Sequence, residues 1–279
     1  MDITMGRYGI WRHETGLGPD LAKEIESLGF GTVWIGGSPS GDLRLAEDML
    51  DATDSLVVAT GIVNMWSTPA DEIASSYHRI AAKHPDRFLL GVGVGHPEAT
   101  SDYTRPYATI VEYLDRLDAL GVPVAGRALA ALGPKVLDLA KDRSAGAHPY
   151  LTTPDHTVSA RERLGAGVLL APEHKVVLDT DPDAARALGR PAVRKPYLGL
   201  VNYRNNLARL GWATADMDDG GSDALIDALV AHGTPEQVAA RLDAHLAAGA
   251  DHVCAQVITA GMRDPEPDLR RLSTALGLT

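Results

Sequence analysis

Ten histidines and a single cysteine, Cys254, are the residues of this 279-residue chain best suited to hold a metal or move a proton. A metal-dependent hydrolase barrel needs a His-x-His on an early strand and further His and Asp on later ones, so that several ligands converge. Neither His-x-His nor His-Glu-x-x-His occurs. His78, His84, His232 and His245 fall where the pattern predicts helices, whereas His96 and His148 fall at predicted strand ends. One thiol excludes an internal disulfide and any multi-thiolate site. There is no Gly-x-Ser-x-Gly elbow, and paired carboxylates for glycoside hydrolysis are not evident.

Two glycine-bearing segments point to different chemistry. Gly91-Val92-Gly93-Val94-Gly95 puts three glycines on one face of a strand. Missing Cβ atoms there either make room for something flat and bulky or allow tight packing at a barrel corner. Leu132-Gly133-Pro134-Lys135-Val136 reads as a strand-to-helix junction. Its free N–H groups and Lys135 make either an anion site or an ordinary capped helix with a solvated lysine. Room for a planar ring, an anion site and few acids suit hydride transfer better than hydrolysis, with a cofactor supplying the reactive atoms.

The elements that must position these segments alternate along the chain. Strands are predicted at residues 3–8, 32–35, 56–63, 88–94, 127–132, 146–151, 175–179 and 251–257. Between them Val238, Leu242 and Leu246, or Ile110, Leu114, Leu117 and Leu120, recur at helical spacing. Helices end on Leu28-Gly29, Leu120-Gly121 and Ala248-Gly249, where glycine takes the left-handed closing position freely. They begin at Thr68-Pro69, Gly133-Pro134, Thr153-Pro154, Asp181-Pro182 and Thr234-Pro235, the last with Gln237 as a capping box. Eight strands with intervening helices predict a (β/α)8 barrel of one domain, residues 1–279, whose chemistry collects at the strand C-termini. Two connections are long, at 96–106 and 189–233. The second is expected to be a partly helical insertion between the seventh and eighth strands, lying over the barrel mouth.

A net charge of −11 without any Lys/Arg run argues against nucleic-acid binding. The first residues lack the basic and apolar regions of a signal peptide, and no apolar run is long enough to span a bilayer, so cytoplasm without membrane attachment is expected. Aromatics make up only 5%, so the core must be built mainly from Ala, Val, Leu and Ile.

The chain resembles the luciferase-like superfamily of bacterial-luciferase-type barrels, in particular its deazaflavin (coenzyme F420)-dependent oxidoreductases. The resemblance covers nearly the whole chain. It rests on Ser27-Leu28-Gly29-Phe30 leading into Thr32-Val33-Trp34-Ile35, on Thr60-Gly61-Ile62-Val63-Asn64, and above all on residues 86–96, Asp-Arg-Phe-Leu-Leu-Gly-Val-Gly-Val-Gly-His. Gly133-Pro134-Lys135-Val136 and Gly146-Ala147-His148-Pro149-Tyr150 complete it. It implies a bulge with a non-proline cis peptide near residues 61–63, and a ring lined by Gly37, Ile62, Asn64, Val94 and Gly95. It further implies a phosphate held by the backbone of Leu132, Gly133, Lys135 and Val136.

Sugar-phosphate dehydrogenase relatives carry an Asp-His pair where this chain has Gly37-Ser38, and a glutamate where it has His96. Their substrate and proton scheme therefore does not transfer. His96, which can titrate near neutral pH, is the first candidate for proton transfer and Ser38 the second. Trp11, His13, Trp66, His148 and Tyr150 are expected to wall the substrate pocket. The implied cofactor is F420; the alternatives are FMN, as in monooxygenases of the same fold, or a barrel that binds a cofactor without turnover. The expected partner is a small-molecule substrate, and the expected assembly a homodimer, as is common among relatives.

Overall fold

The computed structural model describes residues 3–95, 105–262 and 264–279; His96 lies outside them. Eleven parallel strands form one sheet: β1 (Tyr8–His13), β2 (Thr32–Gly36), β3 (Val57–Thr60), β4 (Val63–Asn64), β5 (Phe88–Gly93), β6 (Arg127–Leu129), β7 (Gly146–Ala147), β8 (Leu169–Leu170), β9 (Glu173–Val177), β10 (Val230–His232) and β11 (Val253–Val257). Their order is β10-β9-β11-β1-β2-β3-β5-β6-β7-β8, with β4 on β5. β3 and β4 are one strand interrupted at Gly61-Ile62, and β8 and β9 one strand interrupted at Ala171-Pro172.

That second interruption closes the ring. Ala171 and Glu173 donate their N–H groups to Ala147 and Pro149 carbonyls at 2.9 Å, while β9 pairs with β11 on its other side. With each interrupted pair taken as one strand and β10 set aside, eight barrel strands remain. Period-two alternation sorts the side chains. Trp11, Trp34, Val57, Ala59, Leu89, Ala128 and Cys254 cluster together, while Ile10, Val33, Ile35, Val58, Leu90, Leu129, Val253 and Ala255 belong to a separate core that includes the helices.

The predicted helix punctuation is present. Helices α5 (Pro134–Arg143), α6 (Pro154–Leu164), α7 (Pro182–Arg194) and α11 (Pro235–Ala247) each carry proline at the start, and Thr234 with Gln237 forms the capping box. Pro69 stands one place ahead of α3 (Ala70–Lys83), as its N-cap. Gly29, Gly121 and Gly249 all have positive φ.

Several boundaries differ from the sequence reading; β6 and β7, for instance, end at Leu129 and Ala147 and not at 132 and 151. The first strand is Tyr8–His13 and not 3–8, because Gly6 turns at φ 70° and Thr32 Oγ1 holds the Met5 carbonyl at 2.6 Å. The seventh strand starts at Leu169 and continues through the charged Glu173, which is buried. Gly189 lies inside α7, where a Cβ would meet Val230 at 2.8 Å, so the insertion begins only after Arg194. It contains α8 (Val201–Arg209), α9 (Thr214–Met217), α10 (Asp223–Leu229) and β10. β10 returns to the sheet beside β9 and carries His232, which the sequence had suggested was helical. Among the described residues no helix is long and apolar enough to cross a membrane.

Candidate active site

A cavity of 640 Å³ opens at the C-terminal ends of the strands, within the size of small-molecule sites. β1 contributes Trp11 and His13, the turn after β2 contributes Gly37 and Ser38, and the β3–β4 interruption contributes Gly61 and Ile62, followed by Asn64. Val94 and Gly95 follow β5. Leu132 and Gly133 follow β6 and lead into Lys135 and Val136 of α5, and His148 and Tyr150 follow β7. Of the residues singled out from sequence, only His96, outside the described residues, and Trp66 are missing from this lining. Trp66 drops out because the chain has already turned: Asn64 Oδ1 accepts the Trp66 N–H at 2.9 Å and Asn64 O that of Thr68 at 3.0 Å.

The three glycines of β5 and its tip separate into two uses. A Cβ on Gly91 would lie 1.8 Å from the Thr60 carbonyl oxygen, and one on Gly93 would lie 2.9 Å from Ala130 Cβ. Both serve packing. Gly95, at φ 56°, lines the cavity, and a Cβ there would meet Asn64 Nδ2 at 2.7 Å.

One end of the cavity is cationic. The α5 N-terminus opens at Gly133, and Arg209 Nη2 of α8 comes within 3.7 Å of where a Gly133 Cβ would be. Lys135 and Arg209 form no ion pair among the described residues, although most other arginines do. Arg209 Nη2 also donates to Asn206 Oδ1 at 3.1 Å, but neither cation has an acidic partner there, so the helix N-terminus, its dipole and the two cations together make an anion site. No Asp or Glu lines the cavity among the described residues.

Another part of the lining is aromatic. Trp11 and Tyr150 have ring centroids 5.1 Å apart, Tyr150 and Tyr197 5.2 Å, and Tyr197 and Tyr203 5.0 Å. Trp11 Nε1 donates to the Gly61 carbonyl at 3.2 Å, tying this wall to the β3–β4 interruption. His148 stacks on Trp34 at 3.9 Å, with planes 8° apart, and its Nδ1–H donates to the Ala171 carbonyl at 2.7 Å. Burial pushes its pKa down to about 4. It is therefore neutral near pH 7, with Nε2 a buried lone pair that has no partner among the described residues; it can accept a proton there but has none to donate. Three or more His, Cys, Asp or Glu side chains are nowhere grouped to share a metal among the described residues.

No protein-family profile matches the chain. The 5,10-methylenetetrahydromethanopterin reductase of Methanolobus tindarius is 25% identical, over 84% of this chain and 88% of that protein. An F420-dependent secondary alcohol dehydrogenase, solved with an F420-acetone adduct, superposes with a TM-score of 0.75 at 14% identity over 99% of each chain. The coenzyme F420 dependent tetrahydromethanopterin reductase of Methanopyrus kandleri gives 0.69 at 16% identity, over 97% of this chain and 98% of that one. The oxygenating constituent of 3,6-diketocamphane monooxygenase of Pseudomonas putida, in complex with FMN, also gives 0.69, at 14% identity over 96% and 95%. The chain has the fold of the luciferase-like barrels. In this luciferase-like barrel the Gly61–Ile62 peptide is cis, inside the stretch where the resemblance implied one.

Much of what the sequence reading missed comes from the insertion, and the rest from α4 (Pro106–Ala119). Tyr197, Asn202, Tyr203, Asn205 and Arg209 roof the cavity, and Pro106, Tyr107 and Ile110 of α4 flank it. The run Asn202-Tyr203-Arg204-Asn205-Asn206 carried the available signal, an aromatic among amides in an overlong connection.

Proposed function

We propose that the protein is an oxidoreductase that uses a deazaflavin, coenzyme F420, to exchange hydride with a small organic substrate. The observation that carries this is one cavity joining a mainly apolar slot, bounded by Ile62, Asn64 and Gly95, to the cationic α5 end at Lys135 and Arg209. A tricyclic ring fits the slot because Gly61 and Gly95 add no side chain to it. A phosphate fits the end because N–H groups and cations converge there. Gly37 and Val94 would edge the ring, and the backbone from Leu132 to Val136 would hold the tail. Bound there, the deazaflavin supplies a two-electron carrier for hydride; the chain's own residues bind, orient and exclude water. The F420-dependent proteins among the structural relatives support this choice over FMN.

Fluorescence titration with each cofactor tests it. F420 is expected to bind, and Lys135→Ala and Arg209→Ala are each expected to weaken it roughly tenfold, with the effect shrinking at high salt. Binding of FMN alone, with oxygen uptake on reduction, would replace the reading by a monooxygenase. Binding without turnover on a broad carbonyl and alkene panel would leave a carrier.

His96 and Ser38 are the proposed proton-handling groups, and a cytoplasmic homodimer of single-domain subunits is the proposed working form. A pH–rate profile of His96→Asn that keeps the parent's limb near neutrality removes the first role. A monomeric mass in light scattering removes the dimer.

A further inference from the structure

Beneath the aromatic wall lies an ion pair with no contact to water. Glu173 and Lys175 alternate along β9, both side chains are fully buried, and Lys175 Nζ stands 3.0 Å from Glu173 Oε1. Taking two charges out of water is costly, and apolar residues of similar volume often fill such a place without loss of stability. What a charged pair adds is direction, and here every direction leads to Tyr150.

Lys175 donates to Glu173 Oε1 at 3.0 Å and to Gln256 Oε1 at 2.9 Å, and its Nζ lies 3.9 Å from the centroid of the Tyr150 ring. The same Gln256 Oε1 accepts the Tyr150 hydroxyl at 2.8 Å. Glu173 Oε2 accepts the N–H of Leu151 at 3.0 Å, and Leu151 has φ 55°, a left-handed conformation uncommon for a leucine. The ring, the hydroxyl and the following peptide of Tyr150 are thus each gripped by the pair or by the glutamine bound to it. Neither Glu173 nor Lys175 lines the cavity; Tyr150 does, between Trp11 and Tyr197.

We propose that the Glu173–Lys175 pair is a positioning device that fixes Tyr150 as one wall of an aromatic box, and that this box takes an uncharged, ring-bearing carbonyl or alkene substrate. The substrate class deepens the oxidoreductase reading and rests on it; the positioning role does not. Flat faces from Trp11, Tyr150 and Tyr197 favour a planar partner, through burial and offset stacking. An anionic substrate finds no free cation in this half, because the Lys175 ammonium is committed beneath the ring. The two cations that do line the cavity, Lys135 and Arg209, belong to the α5 end.

Calorimetric titration tests both parts, using acetophenone, 2-butanone and 4-acetylbenzoate as probes. It is run on the unloaded protein and again with whichever cofactor binds. The parent is expected to prefer acetophenone over 2-butanone and over the anionic 4-acetylbenzoate by at least ~10-fold. Lys175→Met combined with Glu173→Gln removes both charges and is expected to keep the fold, keep cofactor affinity within about twofold, and erase the preference for the ring. A purely structural role would weaken both ketones alike and leave that preference standing. Gln256→Leu removes the acceptor that the Tyr150 hydroxyl and the Lys175 ammonium share while keeping both charges, and it carries the positioning test if the double variant fails to fold. An undiminished ring preference in a folded variant overturns the positioning role. Equal binding of 4-acetylbenzoate, or no binding of acetophenone to the parent, overturns the substrate class. If neither F420 nor FMN binds, the oxidoreductase reading falls by itself, and the ketone titrations of the unloaded protein still decide the rest.

Discussion

Gly95→Leu is expected to lower cofactor affinity at least ~100-fold while the barrel stays folded. Gly95 sits just past the end of β5 at φ 56° and lines the slot between Asn64 and the chain after β6. A Cβ already comes within 2.7 Å of Asn64 Nδ2, so the first atom of any side chain must move that amide. Gly95 and Asn64 both line the cavity, so the remaining three carbons of leucine and the displaced amide crowd it. A left-handed leucine costs about 1–2 kcal/mol, against a typical domain stability of 5–15 kcal/mol. The loss should therefore appear in binding far more than in folding. Gly95→Ala should fall between, since one methyl displaces Asn64 but does not fill the slot. Fluorescence titration reads the affinity and circular dichroism the fold. A folded Gly95→Leu protein with parental affinity would place the ring elsewhere.

The same glycines show what a sequence can and cannot convey. Alternation along β5 put Gly91, Gly93 and Gly95 on one face, which is a local property of any strand. Which neighbour each glycine makes room for is not local. Gly91 clears a carbonyl of β3, Gly93 a methyl after β6 and Gly95 the Asn64 amide, and of the three only Gly95 lines the cavity. Strand tips were legible for the first reason: a barrel delivers them all to one end, so naming the tips named most of the lining. The insertion was legible as a partly helical cover of the mouth, but its lining residues were not, for the second reason. Tyr197, just ahead of α8, and Arg209, at its end, reach the cavity through long-range packing that no spacing encodes.

Lys175 was hidden differently. The sequence reading began the seventh strand at Lys175 and gave neither Lys175 nor Glu173 a role, since burying a charge is costly and nothing in the pattern marks either residue as buried. Only the structure shows that Gln256, Leu151 and Tyr150 occupy their remaining bonding directions. The first strand failed for a simpler reason. Apolar alternation from Ile3 to Tyr8 was interrupted by Gly6, and a glycine in a strand pattern was the warning.

Acidification from pH 7 to about 4.5 is expected to unfold the protein, with the stability loss beginning near pH 6.5. Burial pushes the pKa of His148 and of His252 down to about 4 each, and that of His245 to about 3; burial also drives His174 well below its ordinary value. All four are neutral in the native state and make hydrogen bonds that suit the neutral ring. His252 accepts from Trp34 Nε1 at 3.1 Å and donates to the Gly6 carbonyl at 2.8 Å, so it has no site for a second proton without breaking one of these. In the unfolded chain each histidine titrates near 6.5. Between that value and the native one the unfolded state holds more protons, so stability rises with pH across this window and falls as pH drops through it. Each group costs about 1.4 kcal/mol per pH unit there, so His148 and His252 alone remove roughly 5 kcal/mol over two units, comparable with a whole domain's stability. Calorimetry from pH 7.5 to 4.5 should show Tm falling steeply below 6.5, with uptake of about two or more protons on unfolding. A flat Tm across that range would mean that these imidazoles already meet solvent. Because His148 also lines the cavity, binding would then respond to acid by direct titration at the site; if the buried reading holds, binding and fold are lost together.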